Sequence, residues 1–520
     1  MTGLWNAFAA IAEADPAAPA LILGDTVCSF GELRTLAERC AAALADRGVV
    51  HGDVVALQLP KRRIAYALLL ACLRLGAPYV FLDPNNPPQR TAKTVAQLRP
   101  KALFSAIATI NPFGRALTLD DADNEGWLTG IEPIAENATP SIATGADPAY
   151  IMFTSGSTGE PKGAVIPQQG VQSLMEWARK MLGAPARERF TAINPLHFDN
   201  SVFDIYCGLL NGAALVPVET SEITNPATWV KTIRAGRATV MFAVPTLFLI
   251  LDQLGLLTPK ALPDVRTFQF GGEGYPIGKL REFQDRFAGS ARLVNVYGPT
   301  ETSCICSSIA ITPEILTSPD SEFPPLGGMH ADFSYAILDD REMPVPRGQA
   351  GELWIGGRCV GLGYYANLEE TSARFRQDPR QNKYRAIYYR SGDRVREDEQ
   401  GRLWFQGRVD NQVKIRGHRI ELEEIDLAVQ SVPDVQRAVA VVLAGIDGGE
   451  IAVAYIADRA VAAEEVLAVC KQKLPAYMRP AQAVQFDELP HNANGKLDRK
   501  AAKALLEQAD HEAFNRHDAL

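Results

Sequence analysis

The segment Phe153–Gly163, FTSGSTGEPKG, sets Thr154, Ser155, Ser157 and Thr158 among Gly156, Gly159 and Gly163, with Lys162 near its end. Glycines admit backbone conformations closed to other residues, so the N–H groups and hydroxyls of such a loop can fold around an anion. Lys162 adds a mobile positive charge that suits a phosphate chain. The same composition also fits a surface Ser/Gly linker. The flanks favour the first reading, because AYIMF runs into the loop and AVI leaves it, pinning both ends to strand-like segments. The spacing is not that of the common P-loop, which needs Gly-Lys-Ser/Thr, whereas Lys162 stands between Pro161 and Gly163.

A second group is NVYGPTE, Asn295–Glu301, where a strand meets a turn. Tyr297 offers a flat face for stacking a base, and the Asn295 amide can read an adenine amino group. Thr300 and Glu301 put a hydroxyl and a carboxylate beside such a nucleotide, and a carboxylate is what a Mg²⁺ carrying phosphates needs. The same residues also suit a capped helix start, with Thr300 as cap and Glu301 in the first turn.

These groups need a scaffold, and the chain alternates helical and strand patterns around them. CSFGELRTLAERCAAALADRG reads as a strand end followed by an amphipathic helix closed by Gly48. DVVALQLP, IAYALLLACLRLGA and PYVFLDP read as strand, helix and strand. This βαβ grammar implies a mainly parallel, covered sheet. It continues through RATVMFAVPTLFLILDQLG, VRTFQFGGEGYP and ARLVNVYGPTE, and ligands gather at the carboxyl ends of strands in such sheets. From about Phe333 the pattern becomes antiparallel, in SYAILDD, GELWIGG and GRLWFQGR. After Arg408 a small α+β unit begins, with a helix expected over Ala463–Lys473 and the boundary near Val409–Asp410.

The bulk numbers fit an ordinary globular protein of more than one domain: 520 residues, 47% hydrophobic and 22% charged. A net charge of −9 argues against broad nucleic-acid binding. The N-terminus lacks a basic, apolar leader pattern, and the longest apolar stretch, near Ala65–Leu82, is interrupted by Arg74 and Pro78. The expectation is a cytoplasmic protein with no membrane partner. Eight cysteines include no CxxC pair, and Cys304 and Cys306 stand too close for an ordinary zinc pair, which makes them buried or pocket-lining thiols.

The glycine- and hydroxyl-rich loop resembles the phosphate loop of the adenylate-forming (ANL) superfamily, which includes acyl- and aryl-CoA synthetases, luciferases and nonribosomal peptide synthetase adenylation domains. Other segments match that family in order, namely SFGELRTLAE, LRLGAPYVFLDPNNPPQR, NVYGPTE, GELWIGGRCVGLGYYANLEETSARF, YRSGDRV, GRVDNQVKIRGHRIELEEID, LPAYMRP and NGKLDRK. The resemblance spans about Ser29 to Lys500. It implies an α/β fold, with a large N-terminal domain of βαβ-type subdomains plus a β-rich subdomain (1–408) and a small mobile α+β C-terminal domain (411–520). It implies ATP and Mg²⁺ as cofactors. Thr154, Ser155, Gly156, Ser157, Thr158, Gly159 and Lys162 would hold phosphates, and Glu301 the metal. Gly272, Glu273, Asn295 and Tyr297 would meet the nucleotide. Asp393 and Arg408 would bind the ribose, two carboxylate oxygens suiting two hydroxyls. Lys496 would be the catalytic lysine, aided by Thr300, and Asp410 the hinge. The family often has glycine where this chain has Glu423.

HFDNSVFDIY resembles the segment in which an aspartate, here Asp199, binds the substrate amine, although a helix-capping role fits Asp199 too. The other pocket positions carried over are Asn200, Phe203, Phe242, Gln269, Gly271, Val296, Cys304 and Ile305. They describe a mostly apolar wall with a few polar spots, and Gly271 is expected to leave room at its floor. The resemblance implies a stand-alone amino acid adenylating enzyme that hands its product to the phosphopantetheine thiol of a separate carrier protein. The pocket set suits an amino acid of middling size with room for one hydrogen-bonding group; non-proteinogenic, cyclic, aromatic and β-amino acids remain open as substrates, and so does an amino-benzoate. An acyl- or aryl-CoA ligase and a non-catalytic ATP- and amino-acid-binding protein are the alternatives, with a luciferase-like oxygenase more remote.

Overall fold

The computed structural model describes residues 3–105, 125–134, 143–156, 159–219, 225–317, 322–444, 449–491 and 497–517. The chain divides into two compact units, the first comprising Met1–Pro84, Val95–Phe153 and Gly163–Val409.

The first unit opens on local signals that the sequence carries plainly. Ser29 and Glu32 form a reciprocal capping box that starts the helix Phe30–Asp46. The helix Arg63–Leu75 is almost wholly buried and ends at Gly76, whose φ of 67° allows the chain to turn. A nine-stranded sheet holds the centre. Its inner strands Thr267–Gly271, Val240–Ala243, Arg189–Ala192 and Ala214–Pro217 pair in parallel, as does Arg292–Tyr297 with Thr267–Gly271. The margins, Ser307–Ala310 and Thr26–Ser29, join antiparallel. A six-stranded sheet contains Pro148–Thr154 and Lys162–Pro167, the strands on either side of the phosphate-loop sequence. The parallel, covered sheet expected from the βαβ alternation is thus present. So is the antiparallel part beyond Phe333, where Phe333–Leu338, Ala350–Gly357, Ile387–Glu397, Phe375–Gln377 and Leu403–Arg408 form a third sheet.

The second unit gathers Asp410–Leu520 with two short segments, Asn85–Thr94 and Thr154–Lys162. The hairpin Gln412–Ile415 and His418–Glu421 leads into the helix Leu422–Gln430. A three-stranded sheet of Val435–Leu443, Glu450–Ala457 and Gln482–Gln485 carries the helix Ala463–Lys473, where the sequence placed one. Ile425, Val429, Val453, Val466, Cys470 and Met478 form its core. Among the described residues of both units, no helix is long and apolar enough to cross a membrane.

Candidate active site

Three parallel strands of the first unit pair in register, with Phe242 opposite Gln269 and Gln269 opposite Val294, while Gly271 faces Val296. In-register neighbours point the same way, so Phe242, Gln269, Val294 and Val296 share one face. Phe203 packs on that face, its ring edge-on to Phe242 at 5.3 Å. Phe203 opens a π-helical turn, Phe203–Gly208, an irregularity common at functional sites. Cys304 and Ile305 lie in the same apolar cluster as Phe203, Phe242 and Val296. Ile305 also walls a cavity of about 110 Å³, together with Leu174, Trp177, His330 and Phe333. Gly271 departs from expectation. A side chain there would overlap the Val296 carbonyl, so its small size accommodates the neighbouring strand and not a ligand.

Asp199 and Asn200 are half-buried at the start of the short helix Asn200–Val202. Asp199 occupies the N-cap position, yet its side chain makes no capping bond. It accepts the Thr300 hydroxyl at 2.5 Å instead. Thr300 likewise does not cap the turn Thr300–Thr302. Burial pushes the Cys304 thiol well above its ordinary pKa, and the Asp199 carboxylate adds to the shift. Ser303 and Cys304 hold positive φ values of 64° and 76°. Such geometry costs a non-glycine residue about 1–2 kcal/mol. The Cys304 carbonyl also passes close to Gly298, where a side chain would overlap it.

The residues expected at the nucleotide are brought together in pairs. Asp393 accepts the Tyr297 hydroxyl at 2.5 Å on one oxygen and Arg408 Nη1 at 2.5 Å on the other. Asp393 and Arg408 face each other across paired strands. Burial, then the Asp393 charge, raise the Tyr297 pKa well above the usual phenol value, so the ring keeps its proton. Each Asp393 oxygen retains a second lone pair for a ribose hydroxyl. Asn295 Nδ2 donates to the Pro325 carbonyl at 2.8 Å. Glu301 is fully buried and accepts the Tyr364 hydroxyl at 2.7 Å. Gly272 turns the chain with a φ of 88°. Glu273 holds Thr246 through its N–H at 3.2 Å and its hydroxyl at 2.6 Å, within the first turn of the helix Pro245–Gln253.

In the second unit, Gly156 lies against the Lys162 stem and the Glu160 carbonyl, where no side chain fits. Ser155 Oγ donates to the Arg419 carbonyl at 2.8 Å, and the buried Thr154 hydroxyl has no hydrogen-bond partner. Lys162 is buried, and its charge pulls down a Glu421 pKa that burial raises overall. Asp410 opens the unit and accepts weakly from the Gln412 N–H at 3.4 Å. Ser157, Thr158 and Lys496 lie outside the described residues. The chain just beyond Lys496 is firmly held, with Leu497 bridged to His491 and Arg499 bonded to Asp426 at 2.5 Å.

Residues 8–365 match the AMP-binding enzyme family, and residues 424–496 match the AMP-binding enzyme C-terminal domain. The chain belongs to the AMP-binding enzyme family. Over 510 residues it is 34% identical to a dimodular nonribosomal peptide synthase of Bacillus subtilis, covering 97% of this chain and 21% of that protein. The chain therefore spans about a fifth of that relative's length. Its fold is similar to that of NpsA-ThdA, an artificially fused adenylation-PCP di-domain from Klebsiella oxytoca (TM-score 0.82, 24% identity, 93% and 94% of the two chains). It is also similar to holo-PA1221, a nonribosomal peptide synthetase protein containing adenylation and PCP domains (TM-score 0.81, 25% identity, 96% and 84% of the two chains). The protein is an AMP-forming ligase of this family.

Two residues that sequence reading gave no role stand out in this AMP-binding enzyme. Tyr364 holds Glu301, and its place inside the matched GLGYYANLEE segment was the available signal. Trp177 packs edge-on to Phe203 at 6.2 Å and stacks on His330 at 4.6 Å. Nothing set it apart from other apolar positions on the helix Gln168–Leu182.

Proposed function

We propose that the enzyme adenylates an amino acid and transfers the acyl group to the phosphopantetheine thiol of a carrier protein. The amino acid reading is supported by Asp199, a half-buried carboxylate that caps no helix and accepts the Thr300 hydroxyl beside the apolar cluster of Phe203, Phe242 and Val296. A carboxylate held partly out of water favours a cationic ligand, and a substrate ammonium is one. In the first step a substrate carboxylate oxygen attacks the α-phosphorus of ATP. The new O–P bond forms as the bond to the bridging oxygen breaks, and pyrophosphate leaves. Thr154, Ser155, Gly156, Ser157, Thr158, Gly159 and Lys162 hold the β- and γ-phosphates in this reading. Asn295 and Tyr297 take the adenine, with Gly272 and Glu273 at its edge, and Asp393 and Arg408 take the ribose. Lys496 stabilises the charge that builds between carboxylate and α-phosphate. In the second step the thiolate attacks the acyl carbon and AMP leaves, after rotation about Asp410.

Among the described residues no three His, Cys, Asp or Glu side chains gather to form a metal site. In this reading ATP phosphates and water would supply most Mg²⁺ ligands, and Glu301 the protein carboxylate. The ion would neutralise phosphate charge. A carrier as acceptor is supported by the adenylation and PCP pairing in the solved relatives. The need for ATP supports a cytoplasmic enzyme.

ATP–pyrophosphate exchange across proteinogenic, β-, cyclic and amino-aryl acids, with wild type beside Asp199→Ala, tests the reading. A strong amino acid signal lost in the variant supports it. Exchange only with acids lacking an amine would overturn it in favour of an acyl or aryl ligase.

A further inference from the structure

We infer that the substrate carries a hydrogen-bond donor at the far end of its side chain and that the Gln269 amide oxygen receives it. This rests on the amino acid reading above and names the substrate class more closely. Gln269 is 0% exposed. Its Nε2 donates to the Met181 sulfur at 3.6 Å, a soft, weak acceptor that suits an N–H and not a carbonyl oxygen. Its Oε1 is buried and receives no hydrogen bond. More than nine in ten buried polar groups have a partner, and an orphan costs about 1–3 kcal/mol.

The in-register neighbours on that face, Phe242 and Val294, are apolar and have no side-chain donor to offer, and Phe203 packs over them. The orphan also lies at a definite depth. Asp199 is bonded to Thr300, just beyond the carboxyl end of the strand Arg292–Tyr297. By register Gln269 stands opposite Val294, three residues before the end of that strand at Tyr297. Three strand residues span about 10 Å. A substrate anchored by its amine at Asp199 reaches Gln269 only with a long side chain, at least one ring in length, and its tip must bear an O–H or N–H.

The test compares near-isosteric pairs in ATP–pyrophosphate exchange: tyrosine against 4-methylphenylalanine, 4-aminophenylalanine against 4-methylphenylalanine, and β-tyrosine against its 4-methyl counterpart. Wild type should favour the donor-bearing member by about tenfold or more in kcat/KM, as a site built around a polar contact does. Gln269→Met should reduce that preference to within about threefold. Equal rates in wild type, or a preference that survives Gln269→Met, would overturn the inference. If only acids lacking an amine exchange, the amino acid reading fails, and the corresponding 4-hydroxy- and 4-methylphenylpropionates decide Gln269 by the same criterion. A readout independent of activity is the melting temperature without substrate. Replacing an orphan amide by an apolar side chain of similar length should leave it unchanged or raise it by a few degrees. A fall of several degrees would mean that the amide has a structural partner, and would overturn the proposal.

Discussion

Thr300 and Asp199, 101 residues apart, share a 2.5 Å hydrogen bond that joins the Gly-Pro-Thr-Glu turn to the start of the helix Asn200–Val202. The bond engages a carboxylate that makes no cap bond to the helix it precedes. It also links the residue proposed to bind the amine with the turn that carries Glu301.

Thr300→Val keeps the shape of the side chain and removes the donor. A hydrogen bond to a charged group contributes about 1.5–3 kcal/mol. The variant should raise the amino acid KM about tenfold with little change for ATP, measured by exchange kinetics. An unchanged KM would mean that the bond does not orient Asp199 for substrate.

Gly271→Ala separates two views of the pocket floor. The added methyl would overlap the Val296 carbonyl, and overpacking of a core costs about 1–3 kcal/mol. The variant should therefore melt at a lower temperature. An unchanged melting temperature with selectivity shifted to smaller acids would restore Gly271 as substrate space.

The strands, their order of types and the turns at their carboxyl ends were legible in the sequence, because alternation of apolar runs with glycine-bearing turns is a local signal. Asp393 and Arg408 sit in separate matched motifs, and the structure sets them across one strand pair. Other features depended on distant chain. Tyr364 meets Glu301 only through the fold. The occupied space beside Gly271 belongs to another strand. Ser303 and Cys304 carry no sequence mark of positive φ, because neither residue type prefers that conformation.

Tyr297→Phe and Asp393→Ala should differ in kind. The first removes one donor, leaves Asp393 bonded to Arg408, and should weaken ATP binding about tenfold at most with the fold intact. The second leaves the Arg408 cation, 12% exposed, without its carboxylate. Breaking a buried pair costs about 3–5 kcal/mol. Asp393→Ala should thus lose ATP binding and also melt well below wild type. Calorimetric titration with ATP and thermal melts distinguish the two, and equal melting temperatures would sink the structural part of the Asp393 role.

Lys496→Ala should abolish pyrophosphate exchange while ATP binding stays nearly intact, because the proposed role is stabilisation of charge that appears only as carboxylate meets α-phosphate. Full exchange activity in the variant would overturn that role.

His330 gives the enzyme a predictable acid limb. Its ring stacks on Trp177 and meets Ser308 Oγ at 2.9 Å. Burial holds its pKa down, at about 4 against an ordinary 6.5, and Asp332 opposes the shift only in part. Above pH 6.5 the ring is neutral in folded and unfolded chains alike, so it gives no pH dependence. As pH falls from 6.5 towards 4, the unfolded chain takes up a proton that the folded ring refuses, and stability declines. Below about 4 both states are protonated and this contribution levels off. His330→Gln removes the titration and retains a polar side chain for Ser308. Its melting temperature should fall less than that of wild type between pH 7 and pH 5, whatever the two values are at pH 7. Parallel declines would show that His330 is solvated enough to titrate as a free imidazole.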